Sequence, residues 1–307
     1  MQRLVDRPQR WDALAWNALG AEMPFFPLEQ AWAYGEAMAE LGQSVSRIRV
    51  SAGGGTASAQ LFARRVFGLW NVVQSVRGPA FAGDSAAIPE LLRELLTACP
   101  RGFPRVRLLM PELGADMHRA VTAAGLRRVL TGYHTQLLDL RQGTAALRAG
   151  MEGRWRNRLV AAESEKLRLD IAKGGRLLDW LVERNTVLGR QRGIALPKPG
   201  LVRALVQAAG PPQTLIVAVL AKNQPLCAGL FLRHGPDATY YVSHTTEAGR
   251  QLSATNLMLW TAIARLADAG VRQLDLGGID TRAAPGLARF KLGLGGRTLS
   301  LTGTYAR

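Results

Sequence analysis

Residues 238–280 read ATYYVSHTTEAGRQLSATNLMLWTAIARLADAGVRQLDLGGID, and the reading of this stretch decides the fold. ATYYVSHTT is rich in aromatic and β-branched residues and predicts a strand. SATNLMLWTAIARLADAG places apolar residues about every 3.6 positions and closes on Gly270 as a helix C-cap. VRQLDLGGI then predicts a second strand, ending on the paired glycines Gly277 and Gly278. Strand, helix, strand is the alternation of an α/β protein.

Working outward, the same rhythm fills residues 141–307. GTAALRAGMEGRWRNRLVAAESEK (143–166) predicts one helix, LRLDIAK (167–173) a strand, and RLLDWLVERNTVLGRQRG and KPGLVRALVQAAG two helices. QTLIVAVLAKN and PLCAGLFLRHG form strands joined by a turn at NQP. After residue 280 come a short helix, PGLARFKLGLG (285–295), and a last strand, RTLSLTGTY (297–305). Residues 1–140 mix the same elements more loosely. Helices are expected around 9–19, 28–41, 87–99 and 114–125. SVSRIRVSA and TASAQLFARRV flank a glycine turn as a hairpin, and further strands are expected in WNVVQSV, RVRLLMPE and LRRVLTGYHTQLLDL. The expected division is therefore two domains, 1–140 and 141–307.

Charge separates the two halves. The chain carries a net charge of +16, with 15 Lys and Arg against 12 Asp and Glu in residues 1–140, and 24 against 11 in residues 141–307. An Ala-, Arg- and Gly-rich composition accounts for arginine in place of lysine but not for the asymmetry. A basic second half favours an anionic partner: RNA, a nucleotide-linked substrate, a phosphate-rich cofactor or an anionic membrane surface. Cys99 and Cys227 are far apart in apolar surroundings, which supports neither a disulfide framework nor a zinc site. The four histidines show no metal-ligand spacing, and no G-x-S-x-G or Cys/His pairing points to a hydrolase. No apolar run is long enough for a membrane span and MQRLVDRPQR lacks the core of a signal peptide, so the expectation is a cytoplasmic protein.

The element order resembles the acyl-CoA N-acyltransferase (GNAT) fold, and the looser pattern of the first half fits a second copy. Two such units in tandem, with mixed central sheets flanked by helices, resemble the FemAB-type aminoacyltransferases. The resemblance is carried by YHTQLLDL (133–140), RWRNRLVAAESEKLRL (154–169), residues 238–280, and GLARFKLGLGGR (286–297). In the first half LEQAWAYGEAM and the RGP turn at 77–79 resemble the family more weakly. A D-x-G-G strand end followed closely by an F-K pair is a fairly specific combination. The resemblance implies transfer of an amino acid from a charged tRNA to an amine of a peptidoglycan precursor, with no metal or redox cofactor.

Such aminolysis needs a neutral attacking amine, a route for its proton and fixed donors for the developing oxyanion. Lys291 and Phe290 match the F-K pair, the cation facing the developing charge or the acceptor end of the tRNA and the ring stacking nearby. A solvated lysine beside a core phenylalanine is the plainer alternative. Asp275 ends a strand before two glycines, where a carboxylate can face a cleft and orient the amine or accept its proton. It could equally cap a helix or pair with Arg289. Tyr240 and Tyr241 alternate faces on their strand, so that one lines the cleft, and Tyr241 is taken as the site residue. Arg154 and Arg158, four apart on one helix face, can clamp a phosphate, with Arg289 and Arg250 as further anion-binding candidates. Trp155 and Trp180 read as packing residues.

GRQLSATN (249–256) falls where a GNAT enzyme carries the glycine loop that holds the cofactor pyrophosphate. Ser253 and Thr255 stand where glycines would, and their side chains are expected to crowd that cradle. This departure favours an aminoacyl-tRNA donor over a coenzyme A thioester. Two alternatives stay open: an acyl-CoA-dependent N-acyltransferase of polysaccharide or natural-product biosynthesis, and a noncatalytic protein binding RNA or the surface of an anionic membrane.

Overall fold

The computed structural model describes residues 11–66, 70–99, 105–192 and 196–307. The chain divides into two compact units, Met1–His134 with Leu299–Arg307, and Thr135–Thr298. The first begins with the short helices α1 (Ala13–Ala18) and α2 (Trp32–Glu40). Residues 9 and 10 of the first expected helix lie outside the described residues. The expected hairpin of β1 (Ser44–Ala52) and β2 (Gly55–Val66) follows, with Ala52 opposite Gly55. Gly53 and Gly54 both take positive φ there, which matches the turn twist to the strands.

Next come β3 (Trp70–Ser75), β4 (Ala80–Gly83), α3 (Ile88–Ala98), β5 (Arg105–Leu109), α4 (His118–Ala123) and β6 (Arg127–Leu130). Helix α3 crosses over between the parallel strands β3 and β5 and buries Ile88, Leu91, Leu92, Leu95 and Leu96, one stripe at helical spacing.

The second unit contains β7 (His134–Asp139), α5 (Thr144–Ala149), α6 (Gly153–Ser164), β8 (Arg168–Ala172), α7 (Arg176–Arg192) and α8 (Pro199–Gln213). The hairpin strands β9 (Thr214–Ala221) and β10 (Gln224–His234) lead to β11 (Asp237–Thr245). Then follow α9 (Glu247–Gln251), α10 (Ala254–Asp268), β12 (Gln273–Ile279), α11 (Pro285–Leu292) and β13 (Arg297–Ser300). The strand order is β13-β7-β12-β11-β10-β9-β8. Helix α10 packs on β9, β10 and α6 around a core that includes Leu159, Phe231, Met258, Leu259 and Leu276.

Three expectations change. The single helix over 143–166 is two helices, because the chain turns at Gly150–Glu152, where Met151 is buried and the Glu152 amide donates to the Gly293 carbonyl at 2.9 Å. An additional short helix, α9, precedes α10. The last strand is two strands: β13 stays with the second sheet, whereas β14 (Thr304–Ala306) enters the first sheet between β5 and β6. Gly303 makes the break, with φ +123 and no room for a Cβ beside the Leu130 carbonyl. The tail therefore belongs with the first unit, in place of a boundary at 140/141 with everything beyond it in the second.

Candidate functional site

Strands β11 and β12 are parallel and pair at only two positions, Ala238 with Leu274 and Thr239 with Asp275. Beyond these the ladder stops, and the residues that follow, Tyr240 and Leu276, begin a split in the sheet. Asp275 sits at this fork, fully buried. Its carboxylate accepts a hydrogen bond from the Thr135 hydroxyl at 2.5 Å and from the Gly277 amide at 2.7 Å. Gly277 takes φ +76, a turn that glycine makes at little cost. A Cβ at Gly277 would stand 3.6 Å from Lys291 Nζ and 3.8 Å from the Tyr240 carbonyl oxygen, so the ammonium lies close to the point where the strands part.

Lys291 projects from α11, is 7% exposed, and donates to the Gly278 carbonyl at 2.8 Å. Burial pulls its pKa down to about 8, against the opposing pull of the Asp275 charge. A lysine so placed carries a proton at neutral pH and can surrender it without a large penalty, which suits a group that meets a developing oxyanion or protonates a leaving alkoxide. The D-x-G-G end and the F-K pair, separate in sequence, thus come together around one ammonium. Asp275, being sealed from solvent, bears on that ammonium through its charge and on the strand end through its hydrogen bonds.

Two cavities border the adjoining helices. The larger, about 500 Å³, is lined by residues of β11, α6, α9, α11 and the start of α10, among them Tyr240, Ser243, Arg158, Arg250, Asn256 and Phe290. The smaller, about 230 Å³, is lined by Glu152, Arg154, Trp155, Arg158, Gly286, Arg289 and Phe290. Arg158 and Phe290 border both. The four-residue spacing therefore brings Arg154 and Arg158 to one cavity with Arg289, while Arg250 lies on the other wall, ion-paired with Glu247 at 2.7 Å. Phe290 packs against Trp155 with ring centroids 5.8 Å apart.

Tyr240, not Tyr241, lines the larger cavity. The register between β10 and β11 slips by one residue between Leu230 and Phe231, passing from Val242 to Tyr240 and skipping Tyr241. A bulge of this kind breaks strict alternation of faces. Tyr240 stacks on Phe231 at 4.9 Å, and burial pushes its phenol pKa up, keeping it neutral.

In the turn before α10, Ser253 holds the left-handed conformation (φ 51, ψ 29) that a glycine would adopt more cheaply. The Thr255 hydroxyl is taken up by that of Thr245 at 2.8 Å. Sequence reasoning passed over Thr135 and Asn256. The available signal for Asn256 was a polar residue on the apolar stripe of α10. Among the described residues no group of three or more His, Cys, Asp or Glu side chains is placed to hold a metal, and no helix is long and apolar enough to cross a membrane.

Residues 150–292 match the sequence profile of the acetyltransferase (GNAT) domain. Over the whole chain the fold is that of FemX, a solved structure 16% identical in sequence, with a TM-score of 0.80 covering 100% of this chain and 97% of that one. The C-terminal domain of a putative lysylphosphatidylglycerol synthetase from Agrobacterium fabrum is also similar, at 13% identity, 94% and 89% coverage and a TM-score of 0.56. A conserved protein of unknown function from Bacteroides thetaiotaomicron VPI-5482 follows at 14% identity, 82% and 84% coverage and a TM-score of 0.53. No curated protein sequence matches the chain. The FemAB-type resemblance read from the motifs is thus matched by a fold shared along the full chain.

Proposed function

We propose that the protein is an acyltransferase of FemAB type that moves an aminoacyl group from aminoacyl-tRNA to an amine of a cell-wall precursor. The observation that carries this reading is the buried Lys291 ammonium at the end of the β11–β12 pairing, backed by Asp275 and next in sequence to Phe290, which lines two arginine-bearing cavities. The neutral amine attacks the ester carbonyl carbon, a C–N bond forms, and negative charge gathers on the carbonyl oxygen. Lys291 faces that charge. As the C–O bond breaks, the tRNA oxygen leaves as an alkoxide and takes a proton from Lys291, and the ammonium formed on the attacking nitrogen gives its own proton to the neutral Lys291 amine, which restores it. Arg154, Arg158, Arg250 and Arg289 grip phosphates of the donor, and Phe290 offers a ring for base stacking. Asp275 is a positioning residue, holding the Gly277 turn and the field around Lys291.

The test is transfer from charged tRNA to an amine-bearing precursor, followed by mass spectrometry of the acceptor. Product with tRNA donor and none with acyl-CoA supports the reading, and the opposite result sinks it. One observation favours a second reading: Ser253 takes the left-handed conformation that a glycine would supply in a loop holding a pyrophosphate, as an acyl-CoA-dependent N-acyltransferase requires. A rise in melting temperature with coenzyme A but not with RNA would select that reading. A noncatalytic RNA-binding or membrane-surface protein would bind with a steep salt dependence and form no product under either condition. A cytoplasmic location accompanies the proposed reaction, because charged tRNA is found there.

A further inference from the structure

Strand β6 (Arg127–Leu130) comes last in the strand order of the first sheet, and all four of its residues are exposed. Exposure continues at Thr131, Tyr133 and His134. The pairing with β14 passes from Leu130 to Arg128 and skips Val129, a bulge that re-aims side chains and bends the edge. Val129 is 52%, Leu130 63% and Tyr133 42% exposed, so three large apolar side chains meet water within five positions. Single apolar residues scattered over a surface are ordinary, but a group of them at a sheet edge marks a place of interaction. The Tyr133 ring lies 5.9 Å from the guanidinium of the buried Arg77.

Charge is concentrated at the same place. Residues 105–134 hold five arginines against two acids, an excess equal to that of the whole first half of the chain. One of the two acids, Glu112, is closed off in a buried pair with Arg77 at 2.6 Å. Strands β5, β14 and β6 carry no acidic residue, and among the described residues neither Arg127 nor Arg128 stands in an ion pair. The chemistry of the edge selects its occupant. An added peptide strand needs a regular row of edge N–H and C=O groups with pockets for alternate side chains, whereas β6 is short, bulged and exposed along its whole length. A second copy would bring Arg127 and Arg128 close to the same two charges. An anionic bilayer surface offers phosphates to the guanidiniums, an apolar boundary to Val129 and Leu130, and the interfacial level that tyrosine favours. The free backbone groups of the edge stay hydrated at that depth.

We infer that the β6 edge, residues 127–133, docks the protein on an anionic membrane surface, with Arg127 and Arg128 against lipid phosphates and Val129, Leu130 and Tyr133 at the boundary between headgroups and acyl chains. The inference goes beyond the proposed reaction and does not depend on its donor or acceptor. It gives the first unit a task of its own, the candidate site residues Asp275, Phe290 and Lys291 all belonging to the second.

The experiment measures co-sedimentation of the full chain, without donor or acceptor, with vesicles of phosphatidylcholine alone and with vesicles in which about one third of the lipid is phosphatidylglycerol. The variants are Arg127→Gln with Arg128→Gln, Val129→Ser with Leu130→Ser, and, as a charge-matched control, Arg176→Gln with Arg190→Gln at exposed positions of α7. The expected result is salt-sensitive binding of the wild type to the anionic vesicles and none to the neutral ones. Each β6 variant is expected to weaken that binding about tenfold or more, and the control about twofold at most, with melting temperatures nearly unmoved. Hydrogen exchange of the wild type is expected to slow over residues 127–133 when anionic vesicles are added, and decides the matter if a variant does not fold. Absence of binding to the anionic vesicles, equal binding by all variants, or unchanged exchange at β6 overturns the inference. An RNA minihelix that loses affinity for Arg127→Gln with Arg128→Gln, where vesicles are ignored, assigns the edge to RNA and overturns it. A concentration-dependent dimer lost in Val129→Ser with Leu130→Ser, again without vesicle binding, assigns the edge to a second copy and overturns it. None of these measurements involves acyl transfer, so failure here leaves the proposed reaction standing.

Discussion

Lys291 donates its ammonium N–H to the Gly278 carbonyl oxygen at 2.8 Å, which ties the charge to the last residues of β12. The lysine is anchored by backbone, at the point where the pairing of β11 with β12 has already stopped. That position gives its charge a fixed place and leaves it close to the opening between strands.

The depressed pKa of Lys291, about 8 against the usual 10.5, makes stability depend on pH. Above about pH 8 the folded lysine releases its proton while the unfolded one keeps it to about 10.5, so the unfolded state binds more protons and stability rises across that window. Relative to Lys291→Met, the wild type is penalised by about 3 kcal/mol near pH 7, and the penalty fades between pH 8 and 10.5. Urea unfolding of both proteins at pH 7 and pH 10.5 measures the difference.

If the protonated lysine performs the transfer, kcat falls as pH rises through about 8. A pH–rate profile at saturating acceptor checks this, because the acceptor amine itself becomes more reactive over the same range and pushes the other way.

Thr135→Val removes one of the donors to the buried Asp275 carboxylate. The loss is expected to cost about 2 kcal/mol of stability and to reduce kcat through disturbed placement of Lys291, with KM little changed. Thr135→Ser, which keeps the hydroxyl, is expected to restore most of both.

Gly277→Ala forces a side chain into φ +76, at a cost of about 1 to 2 kcal/mol, and sets a methyl group beside the ammonium. Thermal unfolding and transfer rate are both expected to suffer. Gly278→Ala, at a neighbouring position that does not take a positive φ, serves as the control.

Removal of Leu299–Arg307 takes β14 out of the first sheet, where Tyr305 pairs with Leu109 on one side and Arg128 on the other. Tyr305 is fully buried, and its hydroxyl meets His118 Nδ1 at 2.7 Å. Hydrogen exchange on the truncated chain is expected to show β5 and β6 deprotected while the core strands β9 and β10 keep their protection.

Much of the fold was legible because it is local. The β1–β2 hairpin follows from a glycine turn between two strand-forming runs, and α10 with Gly270 from periodicity and a left-handed C-terminal glycine. What escaped is non-local. Nothing in RTLSLTGTY says that Tyr305 will pair with residues far earlier in the chain, and nothing in ALRAGMEGR (146–154) says that the Glu152 amide will bond Gly293. In the site, motif spacing brought out Asp275, Phe290, Lys291 and the arginines. That Tyr240 and not Tyr241 lines the cavity was not legible, because the bulge beside them is set by cross-strand register rather than by the strand's own residues. Ser253 in a left-handed turn and the unpaired amide of Asn256 become visible only once the backbone is in place.

The most direct test of the central claim is the single-turnover rate of acyl transfer by wild type and Lys291→Met with a matched charged tRNA and amine acceptor. The account predicts a loss of about a hundredfold or more in the variant, with the fold intact by circular dichroism and RNA binding weakened by no more than one charge accounts for. An unchanged rate in Lys291→Met would contradict it.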